Sequence, residues 1–130
     1  MGLKRIRSTT GSSFSDAVQI EGAGRWIYIS GQVGTDDSGT TSTAGFSFEA
    51  DRCFERIRLA LERCSATMSD VVKIHAFLTD LDLYAEYNEA RRRAFGDALP
   101  ASATVKVAGL LLGARVEVDA IAFVADEQRK

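Results

Sequence analysis

The apolar residues of this chain change period along its length, and that change restricts the fold more than any other feature. Ala50, Cys53, Phe54, Ile57, Ala60, Leu61 and Cys64 recur at helical steps, with Arg52, Glu55, Arg56, Glu62 and Arg63 away from the stripe's centre. Such spacing covers one face of a helix. Ser47 is its expected N-cap, with Glu49 favourable in the first turn. A second stripe, Leu83, Tyr84, Tyr87, Ala90, Ala94 and Phe95, predicts a helix from about Leu81 to Phe95. Asp80 or Asp82 opens it, Gly96 stops it, and Glu89 with Arg93 supports it as an i,i+4 pair.

Around these helices the period falls to two. Leu3–Ser8, Ala17–Glu21, Arg25–Val33, Val71–Thr79, Ser102–Ala108 and Ala114–Val124 read as strands. The order β-β-β-α-β-α-β-β defines an α+β fold, a mixed sheet with two helices on one face. Val72, Ile74, Ala76 and Leu78 oppose Lys73 and His75; Ala103, Val105 and Val107 oppose Ser102, Thr104 and Lys106. Val116, Val118, Ala120 and Ala122 oppose Arg115, Glu117 and Asp119. One sheet face therefore suits the helices, and the other carries regularly spaced polar groups. Trp26, Tyr28, Ile121 and Phe123 add large apolar groups, and a mixed face of this kind favours a wet interface between subunits over a bare surface.

With 130 residues and 14.1 kDa the chain reads as a single domain over 1–130. The segment Gly34–Ser47, rich in Gly, Ser, Thr and Asp, reads as a long surface loop, not a boundary. A single histidine excludes a His-rich metal site and routes any triad through His75. Cys53 and Cys64 lie about 16 Å apart along the first helix, too far for a disulfide, and share its apolar face. The start, MGLKRIRSTTG, has no apolar h-region, and Ile6 stands where myristoylation requires Ser or Thr. No apolar run approaches the roughly 20 residues that span a bilayer, so a soluble cytoplasmic protein with no membrane partner is expected. Net charge is −2, which gives no general footprint for nucleic acid. Arg91, Arg92 and Arg93 splay over about 200° of helix surface and read as a solvated face or intersubunit pairs.

The runs YISGQVGTDDSG, LERCSATMSDVVKIHAFLTDLDLYAEYNEARRRAFG and LPASATVKVAGLLLGARVEVDAIAFV together resemble the Rid (YjgF) family of enamine and imine deaminases. The match runs from about Ala17 to Val124 without large gaps. The resemblance implies a chorismate-mutase-like domain, a homotrimer with ligand clefts between subunits, a small-molecule substrate, and no metal or organic cofactor. It places Glu117 as the residue positioning the hydrolytic water. It places Asn88 near the substrate and Ser30, Gly31 and Gln32 in the turn beside the cleft. Ser102 and Thr104 join them as substrate-binding positions on the fifth strand.

One position departs from the family. Its deaminases carry P-A-R-S before that strand, and their arginine grips the substrate carboxylate; here the segment is Pro100-Ala101-Ser102-Ala103. A tyrosine near their cleft corresponds to Ala17. A hydroxyl does not replace a guanidinium fork, so hydrolysis of 2-imino acids is not the expected activity and another small C–N substrate is. The alternatives are a trimer that binds a metabolite without catalysis and, against the acidic balance, an RNA-cleaving protein.

Overall fold

The computed structural model describes residues 2–11, 13–36, 38–41 and 44–126. Eight main elements follow in order: β1 (Gly2–Arg7), β2 (Ser15–Glu21), β3 (Gly24–Val33), α1 (Phe46–Glu62), β4 (Val71–Leu78), α2 (Tyr84–Phe95), β5 (Ala101–Lys106) and β6 (Val116–Ala125). Single 3₁₀ turns at Met68–Asp70, Leu81–Leu83 and Leu111–Gly113 join them. The strands form one six-stranded sheet in the order β1-β2-β5-β4-β6-β3. β5 runs parallel to both β2 and β4, and the other pairs are antiparallel, so the sheet is mixed.

The core forms where the two periodicities meet. Ala50, Cys53, Phe54, Ile57 and Leu61 of α1 and Tyr87, Ala90 and Phe95 of α2 pack over Ile74, Ala76, Leu78, Val116, Val118, Ala120 and Ala122. Aromatic contacts tie the helices together: the Phe54 ring lies 5.9 Å from Tyr87 and 5.6 Å, edge on, from Phe95. Beneath the start of α1, the fully buried Glu49 accepts from the Arg115 backbone N–H at 2.7 Å and from Arg115 Nε at 2.8 Å.

Several local expectations change. Gly45, at φ 120°, is the N-cap of α1 in place of Ser47. Ser47 lies inside the helix, and its hydroxyl donates to Glu86 of α2 at 2.8 Å, so it is not free to cap. Asp80 does act as a cap, accepting from the Asp82 N–H at 2.8 Å, but it opens the 3₁₀ turn that precedes α2. Arg93 pairs with Asp51 of α1 at 2.9 Å and Glu89 with Arg92, so the expected Glu89–Arg93 pair gives way to a link between helices. α1 ends at Glu62, where Arg25 donates to the carbonyls of Cys64 and Ser65; Cys53 is therefore buried while Cys64 is exposed.

Within the segment 34–47, hydrogen bonds fix the described residues. Asp36 accepts from the backbone N–H groups of Ser38 and Thr40 and from the Ser38 hydroxyl, which hold its carboxyl below the ordinary carboxylate value. Thr41 donates to the Leu112 carbonyl at 2.7 Å, pinning this loop to the turn before β6. Residues 37, 42 and 43 of the segment lie outside the described ones. No helix among the described residues is long and apolar enough to cross a membrane.

The largest correction concerns β5. Ser102 and Thr104 pair in register with Ile74 and Ala76, whose side chains are wholly buried under the helices. Ser102, Thr104 and Lys106 therefore share the helix-facing side, and Ala103 with the exposed Val105 shares the open side. Alternation fixes which residues share a face but not which face is buried. Here α2 decides, because it presents polar groups where β5 lies.

Candidate active site

On the open face, registers line up polar groups across three strands. Glu117 stands between Val33 of β3 and Phe77 of β4. Two residues on, Asp119 faces His75, with Oδ1 2.8 Å from Nδ1. Opposite Asp119 the register shifts: Ile29 pairs with Ala120 and Gln32 with Val118, so Ser30 and Gly31 together oppose one residue. This is a β-bulge, a device that re-aims side chains within a ladder. It brings Gly31 against the Glu117 carboxylate, and a Cβ there would fall on the carboxyl group, 2.9 Å from its carbon. Only glycine leaves the acid its place.

Gln32 turns the other way. It lies in register with Val118 on the helix side, accepts from Arg56 Nε at 3.2 Å and donates to the Ser30 carbonyl at 3.1 Å. It braces the bulge from behind. Because β4 separates β5 from β6, Lys106 and Glu117 are not cross-strand neighbours, and no Lys–Glu ladder holds the acid.

Ser102, Thr104 and Asn88 gather on the opposite side of the sheet, around Arg91, a residue expected on a solvated or intersubunit face. Arg91 is 1% exposed. Its Nη1 donates to Ser102 Oγ at 2.9 Å, and its Nη2 lies within bonding distance of Asn88 Oδ1 at 2.7 Å, Tyr84 Oη at 2.8 Å and Ser13 Oγ at 3.0 Å. The rings of Phe14, Tyr84 and Tyr87 lie 5.2–5.8 Å from its guanidinium carbon. Nε of Arg91 is buried without a hydrogen-bond partner, and the Tyr87 hydroxyl is buried beside Ser102 and Thr104. Burial pushes the Tyr87 phenol up to about 12, against the opposing pull of the Arg91 charge and of nearby Ser102 and Thr104.

Phase along α2 is the signal that finds Arg91. It lies four residues after Tyr87 and seven after Tyr84, within the inward stripe, whereas Arg92 and Arg93 lie outside it. Three consecutive arginines hide that difference when read as one charge run.

One chain thus carries two polar groupings on opposite faces of its sheet. Glu117, Ser30 and Gly31 form one; Asn88, Arg91, Ser102 and Thr104 form the other. No group of three or more His, Cys, Asp or Glu suited to a metal ion occurs among the described residues. Burial and the neighbouring Glu49 and Glu117 charges push the Cys53 thiol far up, which leaves it inert. A separate groove between α1 and α2, lined by Asp51, Phe54, Arg58 and Arg93, contains none of these residues.

The chain is similar to known proteins over almost its full length. Residues 5–124 match the family described as Endoribonuclease L-PSP. Protein DfrA of Myxococcus xanthus is 39% identical over 84% of this chain and 83% of its own length. The 2-iminobutanoate/2-iminopropanoate deaminase of Mus musculus is 36% identical over 92% and 91%. Among solved structures, RidA from an Antarctic Psychrobacter superposes with a TM-score of 0.72 at 32% identity, over 95% of this chain and 99% of that one. The sheet order, the two helices on one face and these similarities agree on a chorismate-mutase-like α+β domain, and the chain belongs to the Rid (YjgF) family.

Proposed function

We propose that the protein assembles as a homotrimer and hydrolyses a small imine or enamine in clefts between subunits, without a metal or organic cofactor. The observation that carries this reading is the Glu117 carboxylate, seated over the Gly31 bulge on the open sheet face. The residues expected around the substrate, Asn88, Ser102 and Thr104, lie on the far side of the same sheet. A cleft needing both sets draws them from two chains. The exposed Tyr28 and Trp26 on the open face supply apolar surface for that assembly.

In this cleft Glu117 orients a water molecule and accepts one of its protons as the oxygen attacks the carbon of the C=N bond. The proton passes to nitrogen, the tetrahedral carbinolamine collapses, and ammonia leaves as the carbonyl forms. Water is the only co-reactant. The backbone of Ser30 and Gly31 lines the water's side, and Asn88, Ser102 and Thr104 hold the substrate's polar groups. The mouse relative, described as a deaminase of 2-iminobutanoate and 2-iminopropanoate, supports this reaction class.

Ammonia release from freshly generated imines and enamines, acids and neutral compounds alike, tests the proposal. Acceleration is expected for at least one, falling by about 10²–10⁴-fold in Glu117→Gln. If no imine or enamine is accelerated, the protein is a metabolite binder. Sedimentation at micromolar concentration is expected to give three times the chain mass, and a monomer there rules out the shared cleft.

A further inference from the structure

Arg91 carries a charge that the described residues do not balance. Guanidinium is protonated at every accessible pH, and desolvating it is costly unless an anion or a complete set of acceptors compensates. The acceptors it meets are neutral: three hydroxyls and one amide oxygen. No described carboxylate pairs with it, although Arg58, Arg93 and Arg115 each hold one. Its Nε–H is buried with no acceptor among the described residues. A buried cation that meets only neutral acceptors requires an explanation, and an anion joining those acceptors is the direct one.

We propose that Arg91 is the anion-recognising residue of this protein's cleft and takes the carboxylate of a small imino or enamine acid, supplying from α2 the guanidinium that β5 lacks. The proposal rests on the cleft assigned above and narrows its substrate to acids. Ser102 marks where the carboxylate enters. Its hydroxyl is held by Nη1, and a carboxylate replacing that neutral acceptor makes shorter, stronger charge-assisted bonds and can bridge from Nη1 to Nη2 across the end of the guanidinium. A single guanidinium framed by hydroxyls and aromatic rings matches one negative charge. A phosphate near −2 would leave charge uncompensated in the same enclosure. Arginine at Ser102 would crowd a second guanidinium against the first, which accounts for the small residue there.

The test is binding of 2-oxobutanoate, the hydrolysis product of 2-iminobutanoate, against its neutral counterpart 2-oxobutanamide, by titration calorimetry on the intact protein. The acid is expected to bind at least 30-fold more tightly than the amide, and to move an arginine Nε–H NMR resonance that Arg91→Lys lacks. Arg91→Met is expected to lose on the order of 30-fold or more of acid affinity, and Arg91→Met with Ser102→Arg to regain part of it. Equal binding of acid and amide by the unaltered protein, or binding of neither at millimolar concentration, overturns the assignment without any variant. So does undiminished acid binding by an Arg91→Met protein that still unfolds cooperatively. Glu117→Gln separates this proposal from the hydrolytic one: it is expected to retain acid binding while losing turnover. Arg91-dependent binding with no turnover of any substrate would leave the anion site standing and reject only the reaction.

Discussion

At the scale of single residues, close approach and burial do most of the work. Gly31 is required because a neighbour's carboxylate occupies the space a side chain would take. Gly31→Ala is expected to displace Glu117 and lower turnover by about 10²-fold, the usual result of moving a catalytic group by roughly 1 Å. The same variant should change denaturant unfolding little, because the group it displaces is the far end of a flexible side chain. Tyr87 gives a pH signature. Its phenol ionises near 10 when the chain is unfolded, but burial holds it neutral up to about 12 in the folded protein. The folded state then keeps a proton that the unfolded state has released. The resulting stabilisation is complete below pH 10 and is lost as pH rises to about 12, by roughly 2–3 kcal/mol. Tyr87→Phe is expected to flatten that limb of the stability profile, measured by urea unfolding between pH 9 and 12.

At the scale of elements, periodicity shows existence and pairing of faces more readily than it shows direction. Both helices and all six strands were legible because each repeats its pattern over several turns or pairs. The buried side of β5 was not, since Ser102-Ala103-Thr104-Val105 turns its hydroxyls toward the helices and its apolar groups outward, and only the Tyr84, Tyr87 and Arg91 side of α2 explains that. The N-cap slipped for a related reason: Ser47 has the right chemistry, but Glu86 of another helix claims its hydroxyl. Glu117 and the Ser30–Gly31 turn were legible as a family motif, whereas the bulge that joins them depends on a ladder between β3 and β6. Helix length decides the two cysteines. Cys53 lies inside α1 and Cys64 beyond its end, so one thiol per folded chain, at Cys64, is expected to react promptly with iodoacetamide. Cys53 should react only in denaturant, and peptide mass spectrometry distinguishes the two.

For the molecule as a whole, the β1–β2 hairpin is the part least integrated with the sheet. Its ladder to the rest is a single registered pair, Ser15 with Ala101, reinforced by bonds from Ser15 to the carbonyls of Leu99 and Pro100. From β1, Arg5 reaches across to the carbonyls of Ser69, Val71 and Leu99. Removing that reach in Arg5→Ala is expected to speed hydrogen exchange at residues 2–7 and 15–21 by at least tenfold, with little change in β3, β4 and β6.

The hairpin's connection also carries Ser13 and Phe14, whose hydroxyl and ring lie against the Arg91 guanidinium. The cover over the buried charge is therefore held in place chiefly by the bonds of Ser15 and Arg5. None of those bonds is made to α1, to α2 or to the Glu117 bulge. Access to the charge and integrity of the fold are set by different bonds, so a substitution in the hairpin can alter how fast an anion enters while leaving untouched how firmly the domain holds together.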